Sequence, residues 1–138
     1  MNKQLGMFPS GLSHEQYDRL ASLIDQVSGL AVDELLVSAR QHLVLTQKVH
    51  AQNAIVNLRL ATAIVEVIEQ VIKDWDTLPA NVQNWLSGAF CYFFHSDDDE
   101  PDFSSPIGFE DDAEVLNACL RFARLDDLCL NVDDYDDA

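Results

Sequence analysis

The chain has 138 residues, 48% of them apolar with seven Phe and two Trp, which excludes wholesale disorder and suits one compact domain, being short for two. Its 24 acidic and 8 basic side chains give a formal net charge of −16, spread unevenly: residues 1–75 hold six basic and eight acidic groups (net −2), residues 76–138 two basic and sixteen acidic (net −14). Such a field repels phosphates, so nucleic acid is disfavoured as a direct ligand, while basic surfaces are attracted.

Residues 1–12 contain Lys3 but no apolar run of signal length, and the apolar stretch 64–72 is interrupted by Glu66, Glu69 and Gln70. The expectation is a soluble, cytoplasmic protein without a membrane span. Ser13 with Gln16 forms a capping-box pattern that opens a first helix, in which Tyr17, Leu20, Leu23, Ile24 and Val27 recur at helical spacing up to Gly29. Asp33 is expected to cap a second helix carrying Leu35, Leu36, Ala39 and Leu43 to about residue 50. A third follows with the widest apolar stripe in the chain: Ile55, Leu58, Thr62, Val65, Ile68, Ile72 and Trp75, flanked by Leu60, Ile64, Val67 and Val71. That breadth predicts a central, heavily buried helix.

Residues 76–79 end it, and Pro79 suits the first turn of a fourth, aromatic helix with Trp85, Leu86, Ala89, Phe90, Phe93 and Phe94, expected to pack on the third. Ala113, Leu116, Leu120 and Ala123 mark a fifth, with Cys119 beside the stripe. In the tail, Leu128, Leu130 and Val132 alternate with Cys129 and Asn131, the pattern of a short extended segment. The sum is an all-α bundle of about five helices in one domain, 1–132, followed by a frayed acidic tail, 133–138. No internal repeat or Gly/Ser linker divides it.

Between helices four and five lies the most distinctive stretch. Asp97, Asp98, Asp99, Glu100, Pro101 and Asp102 lead through Phe103 to Gly108, Phe109, Glu110, Asp111, Asp112 and Ala113. Pro101 and Pro106 each fix a backbone angle, and Gly108 can turn the chain just before a helix, so the loop reads as shaped. Phe103 and Ile107 are the apolar pins expected to hold it. Glu110, Asp111 and Asp112 fall beside the exposed N–H groups of helix five, where a negative charge stabilises by about 0.3–1 kcal/mol. Part of the acidity is therefore structural, and the remainder can simply face water.

These residues carry a resemblance. Tyr92 and Phe93, then Asp98-x-x-Pro101-Asp102-Phe103, Gly108 and Phe109-x-Asp111-Asp112-Ala113 resemble the YkvA-like domain, a helical family of unknown function, over about the last third of the chain. The resemblance implies that Asp98, Pro101, Asp102, Asp111 and Asp112 are the family's signature positions, with Phe103 and Gly108 completing the loop; it brings no activity. Asp99, Glu100 and Glu110 stand where the family is commonly apolar, and the membrane-spanning segment frequent in the family is missing here.

Other candidates for chemistry are weaker. His42 and His50 are two helical turns apart, about 12 Å, too far to share a metal, and are expected to be surface or flanking residues. His95 adjoins the Asp run. Glu66 and Glu69 form an E-x-x-E that reads as a solvated helix face. Cys91, Cys119 and Cys129 lack the paired spacing of a zinc or redox site, so reduced thiols are expected, with Cys91 and Cys119 in the core. No activated nucleophile is evident.

The residues thus point to a non-enzymatic acidic module that needs no cofactor and engages a basic protein partner through Asp97, Asp98, Asp99, Glu100, Glu110 and Glu114. Size and charge suit an inhibitor or immunity-type protein that neutralises a nuclease or nucleic-acid-binding protein, its acids imitating phosphates. Two alternatives stay open. Asp102, Asp111 and Asp112 are suitable hard ligands for Mg²⁺ or Ca²⁺, as a binding site or a metal-dependent hydrolase, although Pro101, Asp102 and Gly108 break an EF-hand register. A structural homo-oligomer would use the aromatic helix, 85–94, as a seam. The sequence leaves the oligomeric state unspecified.

Overall fold

The computed structural model describes residues 9, 11–27, 29–52, 58–94 and 110–131. Five α-helices run in chain order, α1 His14–Val27, α2 Val32–Gln52, α3 Leu58–Lys73, α4 Ala80–Phe94 and α5 Glu110–Phe122, with 3₁₀ turns at Trp75–Thr77 and Asp126–Leu128. There is no strand among the described residues, and the architecture is an all-α bundle.

The start of α1 forms as its sequence predicts. The Ser13 N–H donates to Gln16 Oε1 at 2.9 Å and the Gln16 N–H donates to Ser13 Oγ at 3.0 Å, a reciprocal capping box. Gly29, at φ +97°, turns the chain after α1, and the Leu30 N–H closes on the Val27 carbonyl at 2.9 Å. Helix α2 departs from expectation at its cap. Its ladder begins at the Ala31 carbonyl, which accepts from the Glu34 N–H at 3.0 Å, so Asp33 lies inside the first turn, where its charge complements the helix dipole.

Core positions on α2 are Leu35, Ala39, His42 and Thr46, a four-three-four spacing, with the Leu36 and Leu43 side chains only half-buried. His42 is therefore a core residue and not a surface one: it is 7% exposed and meets the Phe93 ring edge-on, centroids 4.9 Å apart. Thr46 donates its hydroxyl to the His42 carbonyl at 2.7 Å.

Helix α3 buries Leu60, Ala61, Ala63, Ile64, Val65, Val67, Ile68 and Val71, as its wide stripe predicts. Ile55 lies outside the described residues, and Trp75 lies beyond the helix in the 3₁₀ turn. The centre of the bundle is α4 and not α3. Helix α4 packs on α1, α5 and α2, whereas α3 packs chiefly on α2. The reason is the composition of α4, which has Leu86, Ala89, Phe90, Cys91, Tyr92 and Phe93 buried around its circumference, together with a glycine, Gly88, facing α1. Pro79 precedes α4 and supplies its first carbonyl acceptor, to the Gln83 N–H at 2.9 Å.

Helix α5 runs antiparallel to α4: the Cys119 thiol approaches the Trp85 carbonyl at 3.6 Å, and the Phe122 and Trp85 rings lie 6.4 Å apart. Its end is a Schellman turn, with the Leu125 N–H on the Leu120 carbonyl (2.8 Å), the Arg124 N–H on the Arg121 carbonyl (3.1 Å), and Arg124 at φ 63° where glycine is usual. Ala123 falls in this turn, and Leu128 in the 3₁₀ turn that follows, so the extended segment is shorter than its alternation suggests. Val132 and residues 133–138 lie outside the described residues.

Asn117 fastens that segment to α5. Its Nδ2 donates to the Leu130 carbonyl and its Oδ1 accepts from the Leu130 N–H, both at 2.8 Å, which seats Leu130 in the core. Asn117→Ala leaves both main-chain groups of Leu130 without these partners. The expected result is a loss of about 1–3 kcal/mol of stability and rapid hydrogen exchange at the Leu130 amide. Unchanged protection at Leu130 would mean that Asn117 does not hold the segment.

Candidate acidic site

The antiparallel α4–α5 pair orders the acidic half of the chain. The connection 95–109 joins the end of α4 to the start of α5, and at the opposite end of the pair the chain leaves α3 through Asp74 and Asp76 and leaves α5 through Asp126 and Asp127. All four of these aspartates are exposed. The connection itself, with Asp97, Asp98, Asp99, Glu100, Pro101, Asp102, Phe103, Ile107 and Gly108, lies outside the described residues, as does His95.

The start of α5 is described and separates acids that the sequence leaves together. Glu110 is half-buried, and Asp111 occupies a helical position, its side chain being outside the described residues. Asp112 is only 2% exposed, a carboxylate in the first turn of α5, where the helix dipole favours negative charge. Burial on that scale is costly for a charge facing a partner and reasonable for one serving its own helix. Glu114 is exposed and accepts a hydrogen bond from Gln16 Nε2 at 3.4 Å, linking α5 to α1. Among the described residues, no group of three His, Cys, Asp or Glu side chains is placed to hold a metal ion.

Asp126 and Asp127 enter the sequence reading only within the charge of residues 76–138 and not as named site residues. Their signal is present, because both fall in a 3₁₀ turn whose apolar neighbours, Leu125 and Leu128, pack on the core and leave the carboxylates outward. Elsewhere, Glu69 accepts from Arg40 Nε at 3.0 Å and Nη2 at 2.8 Å across α2 and α3, so one member of the E-x-x-E pair fastens two helices while Glu66 remains exposed. Most of the aromatic helix is enclosed: Phe90 and Phe93 are fully buried, whereas Trp85, beside the Tyr17 and Phe122 rings, and Phe94 are half-buried.

The three cysteines are unbridged, Cys91 and Cys119 buried and Cys129 half-buried. Burial pushes the Cys119 thiol from 9.0 up to about 12, against a smaller lowering by Arg121, and pushes Cys91 up to about 11. Burial also raises Cys129. Because the folded state holds these protons more tightly than the unfolded chain, their stabilising effect is complete below about pH 9 and is lost as pH rises through 11 and 12. The urea midpoint is therefore expected to fall between about pH 8 and pH 10.5, and to fall less in Cys119→Ala. An equal fall in both proteins would remove Cys119 as a source.

No family model, curated protein or solved structure matches the chain. Among the described residues no helix is long and apolar enough to cross a membrane.

Proposed function

We propose that the protein is a non-enzymatic recognition module whose acidic half binds a basic surface on another protein. One observation carries this: residues 76–138 hold sixteen acids and two bases, in contrast to a nearly balanced 1–75. A field of that sign raises the encounter rate with Lys- and Arg-rich surfaces and selects against acidic ones. Exposed acids at Asp76, Glu114, Asp126 and Asp127 support the reading from the described residues. Asp97, Asp98, Asp99 and Glu100 add four charges between α4 and α5.

The finer form of the proposal is an inhibitor or immunity-type protein acting in the cytoplasm on a nuclease or other nucleic-acid-binding protein, whose phosphate-binding groups the carboxylates occupy. Likeness to the YkvA-like domain across 92–113 belongs with it, as a proposal about descent of the loop that carries the charge. Affinity capture from a native lysate tests the function: a basic protein is retained at about 50 mM salt and largely released by about 300 mM. Retention of neutral or acidic proteins, indifferent to salt, would defeat it.

A further inference from the structure

The buried face of α2 leaves the opposite face of the same helix uncovered. Glu34, Val37, Gln41, Val44 and Lys48 are all exposed, Val37 at 51% and Val44 at 48%, with Leu45 alongside at 47%. Their spacing alternates three and four residues, which sets them in one stripe along the helix, two valines flanking Gln41 with a charge at each end, a composition that a two-helix seam can use. Arg40 beside them is committed to Glu69. Glu34 and Lys48 have no ion-pair partner among the described residues.

The charge order along this seam is complementary to itself. Gln41 stands midway, with Glu34 seven residues before it and Lys48 seven after. A two-fold axis through Gln41 that sets two copies of α2 antiparallel places Glu34 of each copy opposite Lys48 of the other and Val37 opposite Leu45. It also leaves the two Gln41 amides to hydrogen-bond each other, and a polar residue at such a position fixes register. A parallel pair would set Glu34 on Glu34 and Lys48 on Lys48. The helix has two acids, Asp33 and Glu34, and two bases, Arg40 and Lys48, so it is neutral in a strongly acidic chain, and two copies repel less across it than across the acidic half. From this we infer that the chain self-associates as a two-fold dimer through antiparallel pairing of α2.

The seam spans about 21 Å of helix, less than a standard interface needs, so association is expected to be weak and concentration-dependent. Sedimentation equilibrium on the full chain from about 10 µM to about 1 mM tests it. The mass should rise toward that of a dimer, with Val44→Glu and Leu45→Glu each weakening association about tenfold or more while leaving the melting temperature of the monomer unchanged. Glu34→Lys and Lys48→Glu should each weaken it several-fold, and the double charge swap should restore it. A monomer across the whole range would overturn the inference, as would a dimer indifferent to Val44→Glu or a double swap no better than either single. A monomer in which Val44→Glu lowers the melting temperature would also overturn it, because the chain's own residues would then cover the face.

Discussion

Exchanging Asp97, Asp98, Asp99 and Glu100 for Asn or Gln is expected to slow association with the proposed basic partner by about tenfold at low salt, with a much smaller change in the dissociation rate. In the proposed encounter the acids act at a distance. Four adjacent charges raise the local concentration of a cationic surface before contact, and exposed charges of this kind contribute through the encounter rather than through a close, desolvated pair. The effect should shrink as salt shortens the Debye length from about 30 Å at 0.01 M to about 8 Å at 0.15 M, and the slope of log rate against log salt should flatten in the variant. An association rate that ignored both the substitutions and the salt would put the binding energy elsewhere.

Gly88→Val is expected to be among the most damaging single changes in the bundle, lowering stability by about 2–3 kcal/mol and the melting temperature by roughly 10 °C. Helix α1 crosses α4 at this glycine so closely that a Cβ there would meet Ile24 Cγ1 at 2.6 Å and Leu20 Cδ1 at 3.0 Å. Ile24 is β-branched and stiff at χ1, and Leu20 is fully buried, so neither yields cheaply. Shortening the neighbour should relieve the clash: Ile24→Ala combined with Gly88→Val should cost less than the two changes summed. Additive costs would show that the two residues do not meet. The consequence reaches the acidic half, because α1 also touches α5 through Gln16 and Glu114, and a displaced α1 disturbs the start of the helix that follows the acidic connection.

Helix number and order were readable because each helix announces itself locally. Ser13 and Gln16 cap α1, Gly29 ends it, Pro79 precedes α4, and α3 carries a broad stripe. What the sequence conceals is which helix lies at the centre and which face of α2 turns inward. Both depend on packing between distant segments: α4 takes the centre because Gly88 admits α1 while Phe90 and Phe93 fill the remaining space. Rotating α2 to bury His42 and Thr46 exposes Val37 and Val44, which no periodicity argument separates from core valines. In the acidic half, charge was visible in composition, but the burial of Asp112 was not. The sequence places it, with Asp111, beside the first N–H groups of α5, but its near-complete burial follows only from how α5 packs on the core.

The measurement that bears most directly on the central claim compares two variants of equal charge. One neutralises Asp97, Asp98, Asp99 and Glu100; the other neutralises Glu15, Asp18, Asp25 and Glu66, exposed acids of the first three helices. If recognition belongs to the acidic half, as proposed, and not to net charge alone, affinity capture from the same lysate at about 50 mM salt should lose the basic protein with the first variant and keep it with the second. Equal retention by both variants, or equal loss, would contradict it.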